Sequence, residues 1–179
     1  DDLIITANGD KTLVGGVGND TITVATSINS TRLIAGDNAD ITYASPGSFT
    51  GFSTLDSVQA NGGVDLISVG SAASNSDLGS NYILGGMEAD RILVAASWDA
   101  GTATASFGMG TSSDVILADN GSINRLSGSS YLSHVYSTEI TAGLGGDDLV
   151  LAANGDKTIV GGVGNDTVTL GTTSVSTRL

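Results

Sequence analysis

Apolar and polar residues alternate along short stretches of this chain, and each stretch follows a glycine-rich turn that ends in aspartate. From Gly15 to Val24 the sequence reads GGVGNDTITV, in which two threonines alternate with Ile22 and Val24. A period of two is typical of a β-strand with one buried face, and glycine supplies the backbone conformations of a tight corner. No stretch has the apolar spacing of three and four residues that marks a helix. The pattern therefore predicts an all-β chain with almost no helix.

A second, longer period of 146 residues divides the chain. Residues 1–33 and 147–179 align without a gap at this offset, and 23 of the 33 positions are identical. Most differences at apolar positions exchange Ile, Leu and Val, as at Leu13/Ile159, and such exchanges preserve a buried β-position. We therefore expect residues 1–146 to form one full repeat and 147–179 to begin the next, so that the chain is a segment of a tandem array.

The short pattern of turn, aspartate and strand occurs seven times. Its aspartates are Asp20, Asp40, Asp65, Asp90, Asp114, Asp147 and Asp166, at successive spacings of 20, 25, 25, 24, 33 and 19 residues. One turn and strand cannot bury its own apolar face, whereas stacked copies form parallel sheets around a continuous core. The sequence therefore predicts an all-β parallel solenoid, of the β-roll or β-helix kind, with about six coils in each 146-residue repeat.

Four segments lack the alternating pattern. They are residues 44–58, 70–80, 95–106 and 119–138. Because they fall between copies of the short pattern, we expect them to be longer loops or irregular strands that project from the solenoid.

The charge of the chain excludes some partners. Asp and Glu number 19 against six Lys and Arg, which gives a net charge of −13, so nothing here would neutralise the phosphates of a nucleic acid. No apolar run approaches the roughly 20 residues that span a bilayer. Cysteine is absent, which excludes disulfides and Cys-ligated metals. Much of the acid lies beside Gly or Asn, a placement that favours turn aspartates and cation ligands.

Two turns match a known calcium-binding repeat. Residues 15–23 and 161–169, GGVGNDTIT and GGVGNDTVT, fit the nonapeptide G-G-x-G-x-D-x-U-x. AGLGGDDLV at 142–150 departs only at its first residue, and GGMEADRIL at 85–93 lacks the third glycine. The chain therefore resembles the RTX, or haemolysin-type calcium-binding, repeat family. Its long repeat is similar to the giant tandem-repeat adhesins and surface-layer proteins of that family.

The resemblance implies a set of calcium ligands. In a β-roll, an aspartate and glycine carbonyls of one turn share a calcium ion with the next turn on the same side. The positions that match are Gly143, Gly145 and Asp147 facing Gly162, Gly164 and Asp166, then Gly16, Gly18 and Asp20 with Asp1, and Asp90 in the weaker copy. Calcium is accordingly the cofactor that the resemblance implies.

The other aspartates have a second interpretation, because most coils lack the full glycine triplet. An aspartate can instead cap its own turn by accepting hydrogen bonds from backbone N–H groups. For Asp40, Asp65, Asp90 and Asp114 the roles of calcium ligand and turn cap both remain open. Lys11 and Lys157 recur at equivalent positions, as do Arg32 and Arg178, and we expect them to pair with acids on neighbouring coils or chains.

Other chemistry finds little support. His134 is the only histidine, and the chain has no nucleophile elbow to accompany it, so we expect a surface histidine and no enzyme. Trp98, Tyr131 and Tyr136 fall in the unpatterned segments, where they would either bind sugar or another chain or fill the core.

These observations favour a structural function. We expect a secreted or cell-surface bacterial component, a fibre, adhesin stalk or surface layer whose partners are copies of itself and a cell surface or extracellular matrix. The alternative is an adhesin module that binds a ligand or glycan through the segments 44–58, 95–106 and 119–138.

Overall fold

The computed structural model describes residues 1–25, 29–73 and 79–171, and it is built from 17 short strands. In chain order they are β1 (Leu3–Thr6), β2 (Lys11–Val14), β3 (Thr21–Val24), β4 (Thr31–Ala35), β5 (Ala39–Ser45), β6 (Ser48–Thr54), β7 (Leu66–Val69), β8 (Ser80–Gly86), β9 (Arg91–Val94), β10 (Ala96–Asp99), β11 (Thr104–Phe107), β12 (Ser113–Asp119), β13 (Gly121–Arg125), β14 (Leu132–Ser137), β15 (Leu149–Ala152), β16 (Lys157–Val160) and β17 (Thr167–Leu170). The described residues contain no α-helix, and one turn of 3₁₀-helix covers Gln59–Asn61. The chain is therefore all-β, as predicted.

Two parallel sheets form the centre of the molecule. Sheet I has the order β1-β3-β7-β9-β15-β17, and sheet II has the order β16-β12-β8-β4-β2. Apart from the hairpins described below, the chain passes alternately from one sheet to the other, so neighbours within each sheet come from successive passes. The parallel sheets predicted from the alternating pattern are confirmed.

The core lies between the two parallel sheets and consists of aligned branched side chains. Parallel pairing in register places Ile22, Ile67, Ile92 and Val150 in one row across sheet I. Ile34, Ile83 and Ile116 form the facing row in sheet II, and all seven side chains are fully buried. Burying one such side chain contributes roughly 1.5–3 kcal/mol, so the alternating pattern becomes a stable core only when passes stack.

The outer face of sheet II is also apolar, and a third sheet covers it. This lateral sheet is antiparallel, with the order β14-β13-β6-β5. Its Phe49, Phe52 and Ile123 pack against Leu84 and Leu117 of sheet II. The predicted projecting segments 44–58 and 119–138 therefore contain ordered strands.

An antiparallel hairpin covers part of the outer face of sheet I. Strands β10 and β11 pair from Ala96↔Phe107 to Asp99↔Thr104. Trp98, Ala105 and Phe107 pack against a cluster that contains Leu93 and Leu151. Trp98, for which core filling and surface binding were both open, therefore packs against the outer face of sheet I. The predicted loop 95–106 is a packed hairpin.

The number of coils predicted from the aspartate spacing is wrong. Among the described residues of 1–146, four strands belong to each parallel sheet, where about six coils were expected. The predicted number of coils was too high because two of the aspartates do not mark a strand of sheet I. Asp40 lies exposed in β5, and Asp114 lies near the start of β12, a strand of sheet II. The residues that were expected to form the additional coils form the antiparallel hairpins that cover the outer faces of the two sheets.

Both parallel sheets continue across the boundary between the repeats. β15, the counterpart of β1 at an offset of 146, pairs with β9 from Leu149↔Arg91 to Ala152↔Val94. β16, the counterpart of β2, pairs with β12 in the same parallel manner. The junction therefore repeats the strand pairing that is found inside the repeat.

Three predictions extend beyond what the structure describes. Residues 74–78 of the segment 70–80, residues 172–179 of the second repeat and Arg178 lie outside the described residues. Within the described part of the chain, no helix is long and apolar enough to cross a membrane.

Candidate functional site

An aspartate immediately precedes every strand of sheet I, at the corner where the chain enters that sheet. These six residues, which we call the aspartate ladder, are Asp2, Asp20, Asp65, Asp90, Asp148 and Asp166. Parallel pairing in register stacks them one above the next, because each lies one residue before a paired position. The fold therefore collects acids that are far apart in sequence into one row.

In five of the six ladder residues, one carboxylate oxygen accepts a hydrogen bond from the backbone N–H of the neighbouring ladder residue. The backbone N–H of Asp20 donates to Asp65 Oδ1 at 2.7 Å, and that of Asp65 donates to Asp90 Oδ1 at 2.8 Å. The N–H of Asp90 donates to Asp148 Oδ1 at 2.7 Å, and that of Asp148 donates to Asp166 Oδ1 at 3.1 Å. Asp2 donates to Asp20 in the same way. The carboxyl side chains thus link each strand of sheet I to the next.

The second oxygen of the central ladder residues is not satisfied. Oδ2 is buried and has no hydrogen-bond partner among the described residues in Asp20, Asp65, Asp90 and Asp148. A buried acceptor without a partner costs about 1–3 kcal/mol, and more when it carries charge. A proton or a cation at such an oxygen would offset this cost.

The residue before the corner is glycine because the Oδ2 atoms of the ladder occupy the space that a larger side chain would need. A Cβ added at Gly36 would collide with Asp65 Oδ2 and with the carbonyl oxygen of Gly85. Gly15 and Gly85 are crowded in the same way by the next aspartate and the next backbone carbonyl. Carboxylate and carbonyl oxygens therefore point into the same narrow space. Without a proton or a cation between them, these oxygens repel each other.

Burial changes the ionisation of the ladder. It raises the pKa of Asp65 to about 7, against the hydrogen bond from the Asp20 N–H, which lowers it. Burial likewise raises the pKa of Asp148 to about 7 and that of Asp90 well above its ordinary value. Around neutral pH, Asp65 and Asp148 therefore pass between the protonated and the ionised form.

A second acidic pair lies beside the ladder and was missed by the sequence analysis. Asp37 is fully buried, accepts the Met87 N–H at 2.7 Å, and has a pKa raised by burial to about 8. Asp119 accepts N–H groups of Val163 and Gly146, and burial raises its pKa to about 6. The signal was present in the sequence. Asp37 lies just after β4 and Asp119 is the last residue of β12, at positions where the better-matching turns carry the second glycine.

The register of the ladder differs from that of the sequence match at two predicted ligands. The sequence match aligned Asp147 with Asp166, but Leu149↔Thr167 pairing aligns Asp148 with Asp166. Asp147 is exposed and accepts the Asn165 N–H at 2.8 Å. Asp1 is displaced in the same way: it is exposed, and it accepts the Asn19 N–H at 2.7 Å. Both act as turn caps one residue outside the ladder.

The remaining predicted ligand positions lie at this corner. Asp20, Asp90 and Asp166 are ladder members. Five of the six predicted glycines have left-handed backbone angles, with φ of 109° at Gly16, 99° at Gly18, 98° at Gly143, 117° at Gly162 and 140° at Gly164. The sixth, Gly145, lies against the Asp119 carboxylate. The sequence thus identified the corner, and its register differs by one residue at two aspartates.

The corner is not a site made of side chains alone. Among the described residues, no three His, Cys, Asp or Glu side chains converge into a metal-binding group. Backbone carbonyl oxygens lie beside ladder carboxylates, as Gly36 O does beside Asp20 and Gly85 O beside Asp65.

A second row of polar side chains, three of them basic, lies near the start of the strands of sheet II. Its members, in pairing order, are Lys11, Arg32, Asn81, Asp114 and Lys157. Lys157 Nζ lies 2.9 Å from Asp114 Oδ2, and both side chains are buried. Asp114 is also bonded by Asn81, which accepts from Arg32 at 2.7 Å. The predicted pairing of Lys157 with an acid on a neighbouring coil is therefore confirmed, and Asp114 is a buried ion-pair partner away from the ladder.

Three further candidates lie in β14 of the lateral sheet or directly before it. His134 is exposed, and its ring lies 4.3 Å from that of Tyr136, centroid to centroid. Tyr131 and Tyr136 are exposed as well, so neither fills the core.

Comparison with known proteins adds no relative. No protein-family model, no curated protein and no solved structure matches this chain.

Proposed function

We propose that this chain is a segment of a tandem β-solenoid array that serves as a structural component of an extracellular fibre, adhesin stalk or surface layer. The observation that carries the proposal is the junction between repeats. β15 and β16 extend both parallel sheets in register from β9 and β12, so a further copy can add to an array without a new kind of contact. The 146-residue sequence period supports the same conclusion.

The size of the array follows from the strand count. Each repeat adds four strands to each parallel sheet, and strands in a sheet lie about 4.8 Å apart, so each repeat lengthens the array by about 19 Å. We expect small-angle X-ray scattering on chains with one, two and three added copies of residues 1–146 to show this increment at a constant cross-section. Flexibly linked separate domains, seen as a much larger increment per copy, would contradict the proposal.

Calcium is part of the proposal. The residues that would hold it are Asp20, Asp65, Asp90 and Asp148, together with the backbone carbonyls beside the first three. Their buried, unpartnered Oδ2 atoms and those carbonyls are the hard oxygen donors that calcium takes. Bound calcium would neutralise the buried acid and offset part of the net charge of −13. The RTX resemblance of the glycine-rich turns supports this assignment and an extracellular location, where calcium is abundant.

A second candidate function is binding of a glycan or a similar ligand by the lateral sheet. Exposed tyrosines favour it: Tyr131 is 74% exposed, Tyr43 44% and Tyr136 40%. Aromatic side chains with a free face and a polar tip are common in binding surfaces. A glycan array probed with the full chain would show binding that Tyr131→Ala and Tyr136→Ala reduce at least about tenfold. Binding that survives both substitutions, or no binding, would remove this candidate.

A further inference from the structure

The first strand of each repeat is apolar on both faces, unlike its neighbour. Leu3 and Ile5 of β1 point outward from sheet I, and they are 69% and 70% exposed. The corresponding outward positions of β3 are Thr21 and Thr23. A strand that carries apolar residues on both faces is typical of a strand that is covered on both sides.

The second repeat shows what covers these positions. Leu149 and Leu151 are the counterparts of Leu3 and Ile5, and Leu151 is fully buried. Both lie in the cluster formed with Trp98, Ala105 and Phe107 of the hairpin β10–β11. The hairpin belongs to the first repeat, and the leucines that it covers belong to the second.

The hairpin spans the junction on both sides. Its cluster includes Leu66 of β7 and Leu93 of β9 from the first repeat. Beyond the junction it reaches past β15 to the end of β17, where a Cβ added at Gly171 would lie 3.0 Å from the Phe107 ring. The hairpin therefore lies across strands of two successive repeats.

Lys11, at the start of β2, also makes fewer contacts among the described residues than its counterpart in the second repeat. Lys157 donates to Asn154 O at 2.7 Å and reaches Asp114 on the preceding pass. Its counterpart Lys11 donates to Asn8 O at 2.9 Å, the equivalent carbonyl, and has no carboxylate partner within the described residues. In an array, β12 of a preceding copy would place the equivalent of Asp114 beside Lys11.

We propose that the hairpin β10–β11 is a clasp between repeats, and that the outer face of β1 is the docking surface for the same hairpin of a second copy of the repeat. The inference rests on the proposed array and adds the element that closes its junctions. Trp98 and Phe107 are the anchors, and Leu3 and Ile5 form the acceptor. An uncovered apolar edge strand invites uncontrolled association, which the clasp prevents.

The first test uses the junction present in this chain. The chain has no cysteine, so the thiol of Ile5→Cys or Leu151→Cys is the only one in its variant. We expect a thiol reagent to modify Ile5→Cys on the order of 100-fold faster than Leu151→Cys, because only the second must wait for local opening. Trp98→Ser with Phe107→Ser should raise the rate at position 151 at least about tenfold. The rate at position 5 should stay unchanged.

A matched control uses the opposite face of the same hairpin. Ser97 and Ser106 are paired and exposed, so Ser97→Ala with Ser106→Ala should leave the rate at position 151 unchanged. Amide exchange in β4 and β8 should be the same in both double variants, which separates clasp opening from general unfolding. Equal effects of the two variants on position 151, or exchange that rises throughout, would overturn the proposal.

The second test supplies the second copy. In the full chain preceded by one more copy of residues 1–146, Ile5→Cys in the second copy should react as slowly as Leu151→Cys. Trp98→Ser with Phe107→Ser in the preceding copy should restore fast reaction. If the amides of β1 become protected while the thiol stays reactive, the array stands and the clasp is wrong. If the amides also stay unprotected, the array itself fails.

Discussion

In calcium-free solution, lowering the pH from 8 to 5 is expected to raise the free energy of unfolding of this protein. Burial raises the pKa of Asp37 to about 8, of Asp65 and Asp148 to about 7 and of Asp119 to about 6, whereas their ordinary value is 3.8. At pH values between the ordinary pKa and the raised pKa values, these carboxyl groups bind protons in the folded chain but not in the unfolded chain. Stability therefore increases as the pH falls through the folded pKa values, and the gain is complete near the unfolded value.

The size of this effect is several kcal/mol, since one pKa unit on one group corresponds to about 1.4 kcal/mol. Urea unfolding midpoints in chelator at pH 5, 6, 7 and 8 would measure it. Asp65→Asn is the matched variant, because an amide keeps the shape, accepts the Asp20 N–H and donates where Oδ2 faces the Gly85 carbonyl. It should stabilise the chain at pH 8, change little at pH 5 and flatten the pH dependence. A wild-type stability that falls between pH 8 and 5 would contradict this account of the ladder.

Added calcium should reverse the effect of pH, so that the chain is more stable at pH 8 than at pH 5. If it binds the ladder, it competes with protons, so adding calcium raises the unfolding midpoint strongly at pH 8 and weakly at pH 5. In Asp65→Asn the calcium effect at pH 8 should be smaller than in the wild type. A wild-type midpoint at pH 8 that does not respond to calcium would leave the ladder as a proton-binding row and remove calcium from the proposed function.

Lys157→Met is expected to destabilise the chain by about 3–5 kcal/mol at neutral pH. Lys157 is 3% exposed and Asp114 is 2% exposed, and Nζ lies 2.9 Å from Oδ2. Nζ also donates to Ser112 O at 2.8 Å and to Asn154 O at 2.7 Å. Removing the cation leaves a buried carboxylate without its charge partner, and this unpaired charge accounts for most of the cost.

Lys11→Met is the control that the repeat itself provides. Lys11 occupies the equivalent position, but within the described part of the chain it donates only to the carbonyls of Asn8 and Asp10, at 2.9 and 3.3 Å. The same chemical change there should cost less than about 0.5 kcal/mol. Thermal unfolding of both variants would show a difference of roughly 10 °C in midpoint. Equal midpoints would show that the buried ion pair of Lys157 and Asp114 adds nothing to the stability of the chain.

Protonation offers a second check on the same pair. Burial raises the pKa of Asp114, and the Lys157 charge opposes that shift. Without the lysine, the Asp114 pKa rises further, so part of the lost stability should return as the pH falls. Lys157→Met combined with Asp114→Asn should be more stable than Lys157→Met alone at neutral pH. No recovery in either experiment would locate the cost in lost packing of the lysine side chain.

Several features of the fold follow from local sequence. The alternation of Ile22 and Val24 with threonine is the surface pattern of one strand, and it requires no knowledge of distant residues. The turns could be located because glycine at Gly16 and Gly18 tolerates left-handed angles that other residues avoid. The 146-residue period identifies equivalent positions without any structure.

The register and the outer layers could not be predicted in this way. Asp147 and Asp148 are adjacent in sequence, and only the pairing of Leu149 with Thr167 decides that Asp148 enters the ladder. A shift of one residue exchanges the two faces of a strand, so a local motif match leaves the choice open. Asp37 and Asp119 join the corner for a similar reason, since their partners Met87 and Val163 belong to other passes of the chain.

The sequence by itself determined the class of structure, the repeat, and the corner at which the acids collect. These depend on side-chain periodicity and on backbone conformations that single residues prefer. Only the tertiary structure decided that the unpatterned segments form antiparallel strands, that Asp114 pairs with Lys157, and that the hairpin β10–β11 crosses the junction. These depend on which apolar faces remain uncovered once the parallel sheets have formed, and that is a property of the assembled sheets and not of any one strand.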